Sequence, residues 1–256
     1  MLLVLGAPLG VSAPLAQDAR QLVPAMTPDC AVPEADIATP APLPNVMAHL
    51  QKKTTIHILA IGSSSTSGTG ASSVAANYPS RLRPLLANAL KGVKIEIINR
   101  GVAGEVAETT SDRIMSEVAL QKPDLVLWQL GTNDALSRIP PDDFEATVRA
   151  TVRWLKAQNI DVVLVGMQYV PRFSRDPAYS AIRRAIRKIA AEENVLYVRR
   201  YEAMLFIEHA RVNEHLMAPD QFHLNDLGYR CMAEHVARAV IISLLNKPPA
   251  PHPAAD

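Results

Sequence analysis

Residues 56–68 read IHILAIGSSSTSG. An apolar run rich in isoleucine, leucine and alanine gives way at once to a glycine and a series of hydroxyl side chains, the pattern of a buried strand entering a turn. Working outward, short apolar runs of this kind alternate with longer stretches of helical period. Strands are expected over 56–62, 93–100, 123–130, 161–167 and 195–200. Between them Phe144, Val148, Val152 and Leu155 fall at i, i+4, i+8 and i+11, and Ile182, Ile186 and Ile189 repeat at helical spacing. Pro141, Asp142 and Asp143 mark a helix start, and a last helix runs from Asn225 to about Leu245. Parallel strands joined by helices need right-handed crossovers. The expected fold class is therefore α/β, a five-stranded parallel sheet in a three-layer α/β/α sandwich, with any chemistry gathered at the carboxyl ends of the strands.

Composition agrees with one folded body. At 256 residues, 48% hydrophobic and 20% charged, the chain can bury a core, which excludes disorder throughout. Lys and Arg number 26 against 25 acidic residues, so no global field would draw nucleic acid or an anionic membrane. No C-x-x-C or H-E-x-x-H pair is present, and no metal is expected.

The 20 prolines cluster at the two ends. Residues 2–16, LLVLGAPLGVSAPLA, are apolar, uncharged and broken by Pro8 and Pro14. They are shorter than the ~20 residues of a membrane span, so 1–16 reads as a signal peptide of a periplasmic or secreted protein, without stable membrane insertion. Residues 17–53 read as an extended proline-rich arm, 54–247 as the folded domain and 248–256 as a proline-rich tail. In an oxidising compartment Cys30 and Cys231 could pair and pin the arm to the body; two buried or free thiols are the alternative.

The segments that follow the strands carry the chemistry. Gly62 to Gly70 is no phosphate loop, because no lysine follows Gly68 or Gly70. It is no dinucleotide fingerprint, because Ser73 stands where a glycine is needed, and no G-x-S-x-G elbow, because Thr66 takes the second glycine position around Ser64. After the second strand comes NRGVAGE (99–105), after the third GTND (131–134), and near the C-terminus DQFH (220–223). Each alone reads as a turn, a cap or a surface pair. Together they bring a serine, a glycine, an asparagine and a D-x-x-H pair, the parts that acyl transfer needs.

These blocks, GSSSTSG, NRGVAGE, GTND and DQFH, resemble those of the SGNH (GDSL-like) hydrolase family over about residues 56–245. The resemblance implies a flavodoxin-like SGNH hydrolase fold and a serine esterase without metal or cofactor. It assigns Ser64 as nucleophile, His223 as base and Asp220 as its acid partner. Ser64, Gly104 and Asn133 would form the oxyanion hole. His223 would take the Ser64 proton while Asp220 holds the imidazole tautomer. The family's G-D-S reads G-S-S here, with Ser63 for the aspartate, a change expected to alter loop geometry more than chemistry.

The implied substrates are small acyl esters, O-acetyl groups on a glycan foremost; a lipase or thioesterase of the same family, a catalytically silent carbohydrate-binding module and a flavodoxin-like cofactor domain are the competing readings. In the segment QYVPRFSRDP (168–177), Tyr169, Arg172, Phe173 and Arg175 are candidates for substrate contact. His49, His57, His209, His215, His235 and His252 lack metal-ligand spacing and read as structural. Arg183, Arg184, Arg187 and Lys188 read as a solvated helix face, and Trp128 and Trp154 as core.

Overall fold

The strands assemble into one sheet in the computed structural model, which describes residues 23–211 and 214–245. The expected signal peptide and tail lie outside the described residues. The strands are β1 (Ala38–Thr39), β2 (Ile56–Gly62), β3 (Ile95–Gly101), β4 (Leu125–Gln129), β5 (Asp161–Val165) and β6 (Leu196–Val198), in spatial order β1-β6-β5-β4-β2-β3. β2 to β6 are parallel neighbours. The sheet thus has six strands where five were expected, because β1 adds antiparallel to β6, pairing Ala38 with Val198 and Thr39 with Tyr197. A two-residue strand has no readable period; its partner defines it.

Helices cover both faces, as the crossovers require. The path from β2 to β3 runs one way across the sheet and the later crossovers run the other, so the right-handed rule puts the intervening helices on opposite faces. On one face α3 (Tyr78–Ala89) packs against α9 (Asp226–Leu245). On the other, α4 (Ala107–Gln121), α6 (Pro141–Ala157) and α7 (Pro177–Glu192) lie side by side. Phe144, Val148, Val152 and Leu155 of α6 are buried, as are Ile182, Ile186 and Ile189 of α7, so both apolar stripes face the sheet. Two short helices, α2 (Ser64–Ser67) and α5 (Thr132–Leu136), start immediately beyond the carboxyl ends of β2 and β4.

The described part of the arm is not an extended strap. Pro44–Lys52 forms helix α1, and Ile37, Leu43 and Val46 are buried in the common core. α1 has no local side-chain cap; instead the Asp161 carboxylate at the start of β5 accepts from the Val46 amide at 2.8 Å. That cap lies far along the chain, which is why the local sequence does not announce the helix. Burial pushes the Asp161 carboxyl up to about 6 against the pull of the amides at the helix start. Earlier in the arm, Cys30 is disulfide-bonded to Cys231 of α9, and the alternative of two free thiols does not hold. The Thr27 amide donates to Glu234 at 2.8 Å and the His235 Nε2 to the Cys30 carbonyl at 2.7 Å, so the arm is latched along one side of α9.

Candidate active site

The GSSSTSG turn is held from beneath by the neighbouring strand ends. The Ser63 amide and hydroxyl both donate to Gln129 Oε1, at 3.1 and 3.0 Å, and Thr66 Oγ1 donates to the same oxygen at 3.3 Å. Ser63 is therefore a buried strut against the end of β4, and Gln129 supplies the acceptor that shapes the turn. At the end of β3, Asn99 Nδ2 donates to the Thr66 carbonyl at 2.7 Å and Asn99 Oδ1 accepts from the Gly101 amide at 2.9 Å. A Cβ on Gly101 would lie 2.1 Å from the Ser67 nitrogen, so only glycine lets the two turns approach this closely.

Ser64 begins α2 with its amide free of any acceptor among the described residues, and the Gly104 amide is likewise free. Gly104 sits at φ +87° with open space around it, in the tip of the turn after β3. Asn133 Nδ2 donates one N–H to the Glu105 carbonyl at 2.8 Å, which sets its carboxamide beside that turn and leaves the second N–H unengaged. The structure thus brings Gly104 and Asn133 together, with unused donors on both. Buttresses hold each turn: Arg113 forks onto the Glu105 carboxylate at 2.6 and 2.8 Å, and Asp134 accepts from the Ala107 and Gly131 amides at 2.7 and 3.1 Å. Burial raises the Asp134 carboxyl above its ordinary range.

The Asp220–His223 pair is built largely by its own loop. Asp220 Oδ1 accepts from the Phe222 and His223 amides, both at 2.9 Å, and Oδ2 accepts from His223 Nδ1 at 2.6 Å. Burial works against the charge on Asp220, but the His223 ring and the two amides outweigh it and hold the carboxyl down at about 2. With Nδ1 committed to the carboxylate, Nε2 is the ring atom left to exchange a proton. The loop lies over the serine turn: a Cβ on Gly70 would meet the His223 Cβ at 3.0 Å. Within the described residues no hydrogen bond joins Ser64 Oγ to His223, a contact that in unliganded hydrolases commonly tightens only on binding.

The segment after β5 packs against Phe222, the neighbour of the histidine. Phe173 meets Phe222 edge to face at 6.3 Å, Phe222 meets the His223 ring at 4.9 Å, and the Arg172 guanidinium lies over both phenylalanines at 4.9 and 5.5 Å. Arg172 is exposed at this corner. Tyr169 is instead buried, its ring against Tyr201 and His209, on the wall of a cavity of about 80 Å³ that it shares with Met204, Glu208 and Leu216. Burial also raises its phenol above the ordinary range.

The model of the non-GDSL lipase-like family matches residues 29–245. The chain belongs to that family. Among its relatives, this non-GDSL lipase-like protein is similar to esterase TesA of Pseudomonas aeruginosa, 27% identical over 42% of this chain and 53% of the relative. It is also similar to an acetylxylan esterase of Geobacillus stearothermophilus, 27% identical over 41% of this chain and 53% of the relative. The chain spans about half the length of these two relatives. In fold it is similar to part of a two-domain esterase described as active on acetylated mannans, with a TM-score of 0.73 at 18% identity, covering 88% of this chain and 62% of that one.

Three supports of the site escaped sequence reasoning: Gln129, Gln168 and Arg200. Gln129 left one readable trace, a polar residue closing the otherwise apolar strand LVLWQ. Gln168 and Arg200, which meet Ser65 beside the nucleophile turn, left none, since their partners lie far along the chain.

Proposed function

We propose that this chain is a carboxylic ester hydrolase that works through an acyl-enzyme on Ser64. The observation that carries the reading is the pair of unused amides, on Ser64 and Gly104, together with the spare Asn133 N–H, at the sheet edge over which the Asp220–His223 pair is folded. Ser64 Oγ attacks the ester carbonyl and passes its proton to His223 Nε2. The oxygen that gains charge is met by the three free donors, and Asp220 stabilises the imidazolium. His223 then protonates the departing alcohol, and water repeats the sequence to release the acid. Losing one oxyanion donor typically costs ~2.7–4 kcal/mol of transition-state stabilisation.

Small acyl groups are the favoured substrates, with O-acetyl on a glycan first, a choice supported by the acetylxylan esterase and the mannan-active esterase among the similar proteins. The exposed Arg172, held over Phe173 and Phe222 beside the histidine, would meet the alcohol half of the ester. No described helix is long and apolar enough to cross a membrane, and the Cys30–Cys231 bond suits an exported protein, periplasmic or secreted. The test is hydrolysis of p-nitrophenyl acetate, butyrate and octanoate and of acetylated xylan and mannan, with Ser64→Ala in parallel. Turnover that depends on Ser64 and falls with acyl length is expected; turnover unchanged in Ser64→Ala would refute the assignment.

A further inference from the structure

Behind the serine turn lies a buried polar chain that the reaction as described does not use. Ser65, next to the nucleophile, donates from Oγ to Gln168 Oε1 at 3.1 Å. Gln168 Nε2 donates to the Phe222 carbonyl, one residue before the histidine, at 2.8 Å. Arg200 opens helix α8 (Arg200–Ala210) and donates from Nη2 to both Ser65 Oγ and Gln168 Oε1, at 3.1 and 3.0 Å. All three side chains are buried.

We propose that Gln168 is the positioning residue that sets the histidine loop against the nucleophile turn, with the direction of its amide dictated by Arg200. Donors and acceptors must match along this chain. A guanidinium can only donate, so the group facing Arg200 must be the Gln168 oxygen and not its nitrogen. Ser65 Oγ accepts from Arg200, and its single proton is therefore free to go to Gln168 Oε1. With the oxygen committed twice, the NH2 group faces the other way and finds the Phe222 carbonyl. Reversing the amide would set two donors against each other at Arg200 and two oxygens against each other at Phe222.

Arg200 is an unusual group to bury for stability alone. It has no carboxylate partner among the described residues, and its Nε and Nη1 find no acceptor there. Burial draws its proton affinity down to about 10, which still leaves it charged near neutrality. An apolar side chain would pack there without the desolvation cost of a cation. What the cation supplies is a fixed polarity for the chain Ser65–Gln168–Phe222. Among the described residues that chain is a direct hydrogen-bonded route from the serine turn to the histidine loop, whose own bonds to Asp220 stay within the loop. The segment holding Gln168 is itself anchored, since the Tyr179 hydroxyl donates to the Gln168 carbonyl at 2.6 Å.

The inference rests on the serine-hydrolase reading, and a double-mutant cycle separates the two. Gln168→Leu and the nearly isosteric Gln168→Glu are made in the wild type and in His223→Ala. kcat and KM on p-nitrophenyl acetate are measured, together with the rate at which a fluorophosphonate labels Ser64. Gln168→Glu keeps an oxygen toward Arg200 but puts an acceptor against the Phe222 carbonyl, and it preserves the test should Gln168→Leu fail to fold. Each variant is expected to lose about 30- to 100-fold in kcat and in labelling rate with KM nearly unchanged, the scale of a small misplacement of reacting groups. In His223→Ala the same substitutions should cost nothing further, since there is no longer a histidine to aim. An equal loss in both backgrounds, or wild-type turnover in both Gln168 variants beside an inactive His223→Ala, overturns the inference and leaves the serine hydrolase standing. Full turnover in His223→Ala overturns the hydrolase reading and this inference with it.

Discussion

The two edges of the sheet each carry an aspartate that accepts backbone N–H groups, and their surroundings drive them in opposite directions. At the carboxyl edge, Asp220 is half exposed, bound by its own loop and by His223, and held down at about 2. At the opposite edge, Asp161 is buried under α1, accepts the Val46 amide and is pushed up to about 6. The same side chain is kept charged beside a histidine and is shielded from water where a helix must be seated. On the proposed function, the carboxyl edge carries the chemistry, while the amino edge fastens the arm.

The strongest challenge to this division is to remove the proposed proton relay. Ser64→Ala or His223→Ala should cut kcat roughly ten-thousand-fold or more, with the circular dichroism spectrum and unfolding midpoint unchanged. A loss of fold in either variant would mean that the carboxyl edge also holds the body together. The reciprocal experiment removes the fastening at the arm. Replacing Cys30 and Cys231 by serine opens a loop with a sequence separation of 201, worth about 5 kcal/mol of chain entropy, and should lower the urea midpoint without changing kcat of the folded protein. Next in size, Asn133→Ala should lower kcat by about 10²–10³ with KM nearly constant, as expected of a donor used only in the transition state.

The smallest effect concerns Asp161 and pH. Its folded pKa lies above the unfolded value, so the unfolded chain gives up this proton first. Stability from this group is complete below about pH 4 and is lost as pH rises through about 6, up to ~3 kcal/mol. Denaturant midpoints measured from pH 4 to 7 should therefore fall more in the wild type than in Asp161→Asn. Asp220 acts with the opposite sign, its contribution disappearing as the pH drops from the ordinary carboxylate range toward about 2. The two contributions occupy separate pH windows and can be read apart.

Much of this was legible in the sequence, for a physical reason. Parallel strands buried on both faces show as continuous apolar runs, and the stripe of Phe144, Val148, Val152 and Leu155 records the helix that covers them. The Asp220–His223 pair was singled out only by the family resemblance, and the structure closes its hydrogen bonds within four residues. What stayed hidden depends on partners distant in the chain. Helix α1 is capped by Asp161, 115 residues beyond Val46, and β1 exists only by pairing with β6. Ser63 in place of the family's aspartate was expected to alter the loop's geometry, and its distant acceptor Gln129, which receives its hydroxyl and its amide together, could not be read from the turn. Tyr169 and Arg172 sat three residues apart in one candidate segment, yet the first is buried and the second is exposed beside Phe222. A loop's position after a strand does not reveal which of its side chains turn inward.

The bond between Cys30 and Cys231 also imposes an order of events on a chain made from its N-terminus. The first of these cysteines must wait while the 201 positions to its partner are synthesised, because the helix that carries Cys231 is the last described element. The edge strand Ala38–Thr39 faces the same delay, since β6 is also made late. The arm, made before the sheet, is thus fixed in place after it, and the body can take shape before the arm is sealed across it.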